Sequence, residues 1–179
     1  SAGLEEDVYG IRLMAESLAE MIVVASCSKN LGLYKERVGA VSIVSKDAKQ
    51  AAVVLSNVSN VARGIYSMPP DHGAAIAASI FCEEELRKLW IQELGEMRER
   101  INGLRRLLVD KLFERESSQD FSFIADERGM FSFLGISRAQ VIRLREEFHV
   151  YLVESSRINV AGINQSNVDY VSDAIVSVL

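Results

Sequence analysis

Met21-Ile22-Val23-Val24-Ala25-Ser26-Cys27-Ser28-Lys29-Asn30-Leu31-Gly32-Leu33-Tyr34-Lys35-Glu36-Arg37-Val38-Gly39-Ala40-Val41-Ser42-Ile43-Val44 holds the fold decision in one span. Met21 to Ala25 is a continuous apolar run rich in β-branched side chains. It offers water no polar face and so reads as a short buried strand. Val38 to Val44 reads as a second strand. The polar stretch between them, Ser26 to Arg37, is broken by Gly32 and reads as a loop at a strand end, where α/β proteins place their ligands.

Outward toward the N-terminus, Leu4, Val8, Ile11, Met14 and Leu18 recur at helical spacing, predicting one amphipathic helix from Leu4 to Glu20 with Glu5, Glu6 and Asp7 in its first turn. Outward the other way, Ala48, Ala51, Leu55, Val58, Ala62 and Ile65 keep the same period. They are stopped by the chain's two prolines, Pro69 and Pro70. Asp71 is placed to cap a small-residue helix from Ala74 to Phe81. Leu86, Trp90, Leu94, Met97, Ile101, Leu104, Leu108 and Leu112 then predict one helix of about thirty residues, roughly 45 Å long. After Ser117 the pattern changes. Phe121-Ser122-Phe123 and Met130-Phe131-Ser132-Phe133 flank a turn at Gly129, and Ser137 with Gln140 forms a capping box for a helix to about Phe148. Strands are predicted at Val150 to Val153 and Arg157 to Val160, with a last helix from Asn167 to Val178. This is an α+β module.

Composition bounds the function classes. In 179 residues, 49% are apolar and 25% charged, which excludes disordered and low-complexity architectures. With 20 Lys and Arg against 25 Asp and Glu, the net charge of -5 argues against nucleic acid as a partner. Two cysteines are too few for a disulfide framework, and no run approaches the ~18 apolar residues of a membrane span. A soluble, reducing compartment is expected, cytoplasmic or the mitochondrial matrix. Metal ligation lacks any Cys/His spacing. Cys27 with His72 or His149 as a nucleophile pair has no supporting motif.

Lys29 follows a buried strand among hydroxyls, with Arg37 further along the same loop. A nucleophilic amine needs desolvation or a neighbouring cation to lower a pKa of about 10.4. By themselves Lys29 and Arg37 read equally well as solvated charges, and Ser26 as a turn residue.

Ser26 to Gly39 resembles the cofactor-attachment segment of the aspartate/aromatic aminotransferases, the class I, fold type I pyridoxal-phosphate enzymes. The resemblance continues through Arg63, Tyr66-Ser67-Met68-Pro69-Pro70-Asp71-His72-Gly73, Gly129-Met130-Phe131-Ser132 and Arg157-Ile158-Asn159-Val160-Ala161-Gly162, in order along essentially the whole chain. It implies pyridoxal 5'-phosphate as cofactor. By position, Lys29 is the attachment lysine and proton carrier, Ser26 and Arg37 hold the cofactor phosphate, and Arg157 clamps the substrate α-carboxylate. Arg63 receives a distal carboxylate from across a homodimer interface. Phe131 lines the substrate site, and Tyr66 and Ser67 lie in the segment presented to the partner subunit. Without the resemblance, Arg157 reads as a strand arginine pairing with Glu154, and Arg63 as a polar-face helix residue.

The implied fold is α/β. Residues 1–96 form the C-terminal part of a large cofactor-binding domain with a mixed, mostly parallel sheet, and residues 97–179 a small α+β domain reached by the long helix. The implied reaction is transamination between aspartate and 2-oxoglutarate, with aromatic or broad-specificity transamination as the alternative. Cys27 stands where the family commonly has an aromatic, Met68 where it has asparagine, and Ser156 where it has glycine. The opening Ser1-Ala2-Gly3-Leu4 has no initiator Met, and the family's upstream cofactor-binding residues are not in this stretch. The chain is therefore expected to be part of a longer protein and inactive alone, or a non-catalytic fragment.

Overall fold

A computed structural model describes residues 2–115 and 117–179; Ser1 and Glu116 lie outside the described residues. The chain divides into two compact units, Gly3–Leu94 and Gly95–Leu179, the second including Ala2.

In the first unit the N-terminal periodicity yields two helices rather than one, α1 (Leu4–Asp7) and α2 (Tyr9–Ser17). Val8 breaks them at φ -89°, ψ -5°. A β-branched residue followed closely by Gly10 is a weak point for continuous helix. Strands β1 (Met21–Ser26) and β2 (Gly39–Val44) pair antiparallel, from Met21 opposite Val44 to Ser26 opposite Gly39.

The expected mostly parallel sheet is not found among the described residues, where both sheets are two-stranded and antiparallel. A parallel pair needs a crossover of a dozen or more residues, usually a helix. Here the connection contains no helix and doubles back on itself. The burial expected of β1 also fails within this chain, because Ile22 and Val24 remain 67% and 76% exposed. An apolar run is buried only when another element covers it, and here Met21 and Val23 are half-buried while the face bearing Ile22 and Val24 is left largely open.

Helix α3 (Ala48–Tyr66) starts at Asp47, whose carboxylate accepts from the Gln50 N–H at 2.8 Å. After the prolines comes α4 (His72–Cys82). Asp71 occupies its N-cap position without making the predicted cap bond, since its φ -80°, ψ -33° are helical rather than extended. What fixes this helix start is packing. A Cβ on the buried Gly73 would lie 2.8 Å from Glu36 Cβ and 3.1 Å from Val38 Cβ, so only glycine lets α4 approach the residues flanking Arg37.

Helix α5 (Glu84–Glu114) is the predicted long helix, 31 residues or about 46 Å, and carries the chain into the second unit. There Leu104, Leu108 and Leu112 enter a core with Ile124, Leu134, Val141, Leu144 and Ile175. The Phe121-Ser122-Phe123 arm is not a strand but leads into the short helix α6 (Phe123–Asp126). Strand β3 (Phe131–Phe133) precedes α7 (Arg138–Phe148), and β4 (Arg157–Asn159) follows it and pairs antiparallel with β3. The strand predicted at Val150 to Val153 does not form. His149 turns left-handed at φ 53°, and the Val150 N–H bonds back to Leu144 O at 3.0 Å, closing α7 instead of joining a ladder. Helix α8 (Val168–Val178) ends the chain. No described helix is long and apolar enough to cross a membrane.

The capping box forms as predicted. Ser137 Oγ accepts from the Gln140 N–H, and Gln140 Oε1 accepts from the Ser137 N–H at 2.8 Å. Ser137→Ala is expected to lower stability by about 1 kcal/mol, read from chemical denaturation.

Candidate active site

The loop between β1 and β2 is held by its own backbone. Cys27 N–H donates to Val38 O at 3.1 Å, and Leu33 N–H to Cys27 O at 3.2 Å. Gly32 supplies the positive φ of 67° that the reversal needs. Tyr34 then gathers the two cations of the motif. Lys29 Nζ lies 4.6 Å from the centre of its ring, and Arg37 Nη1 donates to its carbonyl at 3.1 Å. Arg37 itself sits at φ 52°, a left-handed conformation that costs free energy in a non-glycine residue and is met at functional sites. Ser26 Oγ accepts from the Ser28 N–H at 3.2 Å and donates to Ser28 Oγ at 3.0 Å. Ser26, Lys29 and Arg37 are thus on one loop and all exposed. The desolvation anticipated for the Lys29 amine is not provided by this chain.

From below, the Trp90 indole N–H donates to Asn30 O, the residue after Lys29, at 2.8 Å, and its ring meets Phe81 edge to face at 5.2 Å. In the sequence Trp90 stands in the apolar stripe of α5. Its being the chain's single tryptophan was the one signal.

Arg63 occupies the last turn of α3, with Tyr66 and Ser67 at the helix end. Ser67 N–H closes on Arg63 O at 2.9 Å with φ 61°, ψ -64°, another unfavourable conformation for a non-glycine residue. Arg63, Tyr66 and Ser67 are exposed.

In the second unit, β3 and β4 bring Phe131 and Arg157 together, the guanidinium carbon lying 4.6 Å from the ring centre. The alternative partner for Arg157 is engaged elsewhere. Glu154 pairs with Arg138 Nε at 2.6 Å, and that guanidinium holds its carboxyl below the usual carboxylate range. Ser156, before Arg157, explains the family's glycine. It is 2% exposed at φ 64°, and its Oγ accepts from the Gly135 N–H at 3.1 Å. Ser156→Ala keeps the left-handed strain and orphans that N–H. The expected loss is about 1–3 kcal/mol by thermal denaturation, larger than for Ser156→Gly, which relieves the strain.

Beneath this pair lies Arg105, 1% exposed, whose guanidinium reaches Glu127 Oε2 at 3.5 Å. Burial pushes its pKa down, opposed by Glu127. Arg105 was not singled out in the sequence, although its place between Leu104 and Leu108 already put a charge on the core face of α5.

A likeness to solved structures fixes the class. The chain superimposes on the crystal structure of an aromatic-amino-acid aminotransferase from Burkholderia pseudomallei, covalently bound to pyridoxal phosphate. The TM-score is 0.93 at 48% identity, over 98% of this chain and 44% of that one. The fold is the α/β fold of these transferases. Residues 2–175 match the model of the family "Aminotransferase class I and II", and the chain belongs to that family. It is 48% identical to an aspartate aminotransferase of Haemophilus influenzae over 177 residues, and 43% identical to an aromatic-amino-acid aminotransferase of Escherichia coli over 178. Each match covers 99% of this chain and 45% of the relative. The chain therefore spans about half the length of the curated relatives it matches.

Proposed function

We propose that the protein to which this chain belongs is a pyridoxal-phosphate-dependent aminotransferase, moving the amino group of aspartate to 2-oxoglutarate. The observation that carries this reading is the convergence of Lys29 and Arg37 on Tyr34 within a loop that begins at Ser26. The donor set suits the cofactor. A primary amine stands exposed for condensation with an aldehyde, beside a hydroxyl and a planar guanidinium suited to a phosphate of charge about -1.5 to -2. When bound, pyridoxal phosphate supplies the aldehyde and the electron sink for loss of the substrate α-proton.

The chain's own residues do the rest. Ser26 and Arg37 hold the phosphate. The Lys29 amine, once free, takes the proton from the substrate α-carbon and returns it on the acceptor side of the reaction. Arg157, stacked on Phe131, binds the α-carboxylate in bidentate fashion. Arg63 binds the distal carboxylate in the partner subunit's site, with Tyr66 and Ser67 at the interface of a homodimer. Residues 1–96 belong to the large domain and 97–179 to the small one, and turnover requires the whole protein in a cytoplasmic or mitochondrial setting. Identity with aromatic-amino-acid aminotransferases at 43–48%, together with Met68 near Arg63, supports a second reading in which aromatic substrates are also accepted.

The test is borohydride reduction of the full-length protein after addition of pyridoxal phosphate, followed by peptide mapping. Label on Lys29 is expected. Label confined to another lysine, or none, overturns the assignment.

A further inference from the structure

Arg105 is a fully buried cation that the reading above does not use. Its Nη1 donates to Ser132 Oγ and, at 3.3 Å, to Ile124 O. Its Nη2 donates to Gly129 O at 2.6 Å and to Phe131 O at 2.8 Å. One guanidinium thus ties α5 to α6, to the Gly129 turn and to β3.

Strand geometry explains why that matters for Arg157. Met130 O accepts from the Val160 N–H at 2.8 Å, and Leu134 N–H donates to Ser156 O at 3.0 Å, so these groups face the β4 side. The Phe131 carbonyl, between them in parity, faces the open edge, where Arg105 satisfies it. Side chains alternate too. Ser132 points down to Arg105 and is 2% exposed, while Phe131 points up and carries the Arg157 guanidinium at 4.6 Å. Opposite Ser132 stands Ile158, so the clamp below fixes the strand whose partner bears Arg157. A lysine could not substitute, because a point ammonium with three donors cannot serve three carbonyls and a hydroxyl at once.

We propose that Arg105 is a positioning residue for substrate binding, setting the height and tilt of Phe131 and hence the orientation in which Arg157 meets a carboxylate. This rests on the aminotransferase reading. Arg105 touches no substrate. Its effect passes through β3, and a misplacement well under 1 Å at a clamp is felt as roughly tenfold on a scale where 1 Å costs about 10²-fold.

The experiment uses the full-length enzyme loaded with pyridoxal phosphate. Turnover of aspartate by the unsubstituted enzyme tests the function itself, and its absence removes both readings. Given turnover, Arg105→Lys is expected to raise the KM for aspartate and the dissociation constant of succinate about tenfold, with kcat and borohydride labelling of Lys29 within twofold. Ser132→Ala, which removes one acceptor and is small enough to fold, is expected to move the same two constants in the same direction by a few-fold. Leu108→Ala, a core truncation in the same helix, is expected to lower the melting temperature at least as much with KM within twofold. In an Arg157→Lys background, Arg105→Lys is expected to add no further rise, since the two act in series. KM and succinate affinity unchanged in Ser132→Ala and in any folded Arg105→Lys, or changed as much by Leu108→Ala, would overturn the positioning role while leaving the aminotransferase assignment intact.

Discussion

Lys29→Ala in the full-length protein is expected to lower transamination of aspartate by at least ~10³-fold, within the range general acid–base catalysis contributes, with little change in stability. The second half of that expectation comes from the structure. The Lys29 side chain is exposed and lies over the Tyr34 ring, an exposed cation–π contact worth about 0.5–1 kcal/mol. The loop is held instead by the Cys27, Leu33 and Trp90 bonds, none of which uses the Lys29 side chain. Removing the amine therefore removes chemistry and leaves the scaffold. Lys29→Arg sharpens the result, because a guanidinium keeps the charge over Tyr34 but is not deprotonated near neutrality and cannot carry the proton. Both variants are expected to be inactive with native circular dichroism. Lys29→Ala retaining a tenth of wild-type kcat would mean that another group moves the proton.

The parts of the fold that could be read in advance are those decided locally. Ser137 announces a helix start because its side chain reaches the N–H three residues on, and the spacing from Leu86 to Leu112 announces α5 because a helix repeats its face wherever it lies. What could not be read depends on distant partners. Strand pairing is not legible, because Met21 to Val44 contains no signal for which edge each strand pairs with. Val150 to Val153 looks extended in composition, yet its first N–H is taken by Leu144 O once His149 adopts a left-handed turn. The site divides the same way. Lys29, Ser26 and Arg37 fall within one short motif and were visible together. Arg105 acquires its partners only when Gly129, Phe131 and Ser132 are folded over it, and Trp90 only when α5 passes under Asn30. A buried charge on an otherwise apolar helix face is the sequence trace such a residue leaves, and it needs the tertiary structure to acquire a meaning.

Gly39→Ala is the substitution expected to damage the proposed cofactor cradle most without touching a group proposed to bind it. Gly39 stands opposite Ser26 at the end of the β1 and β2 ladder, two residues after Arg37. A Cβ there would fall 2.4 Å from Ala25 O and 3.4 Å from Ser26 Cα. The obstructing atom is backbone, so no side-chain rotation relieves it, and the strands must part where Ser26 and Arg37 leave the ladder. Overpacking of this kind costs about 1–3 kcal/mol in stability. Separating the hydroxyl from the guanidinium also forfeits one charge-assisted bond of about 1.5–3 kcal/mol, which corresponds to a ~10- to 100-fold weaker hold on pyridoxal phosphate. Gly10→Ala is the matched control. Its Cβ would meet nothing within 4 Å on α2, so it is expected to stabilise by about 0.5–1 kcal/mol and leave cofactor affinity unchanged. Equilibrium dialysis of pyridoxal phosphate against the full-length variants decides the matter: equal affinity for Gly39→Ala and wild type would show that Ser26 and Arg37 do not hold the phosphate together.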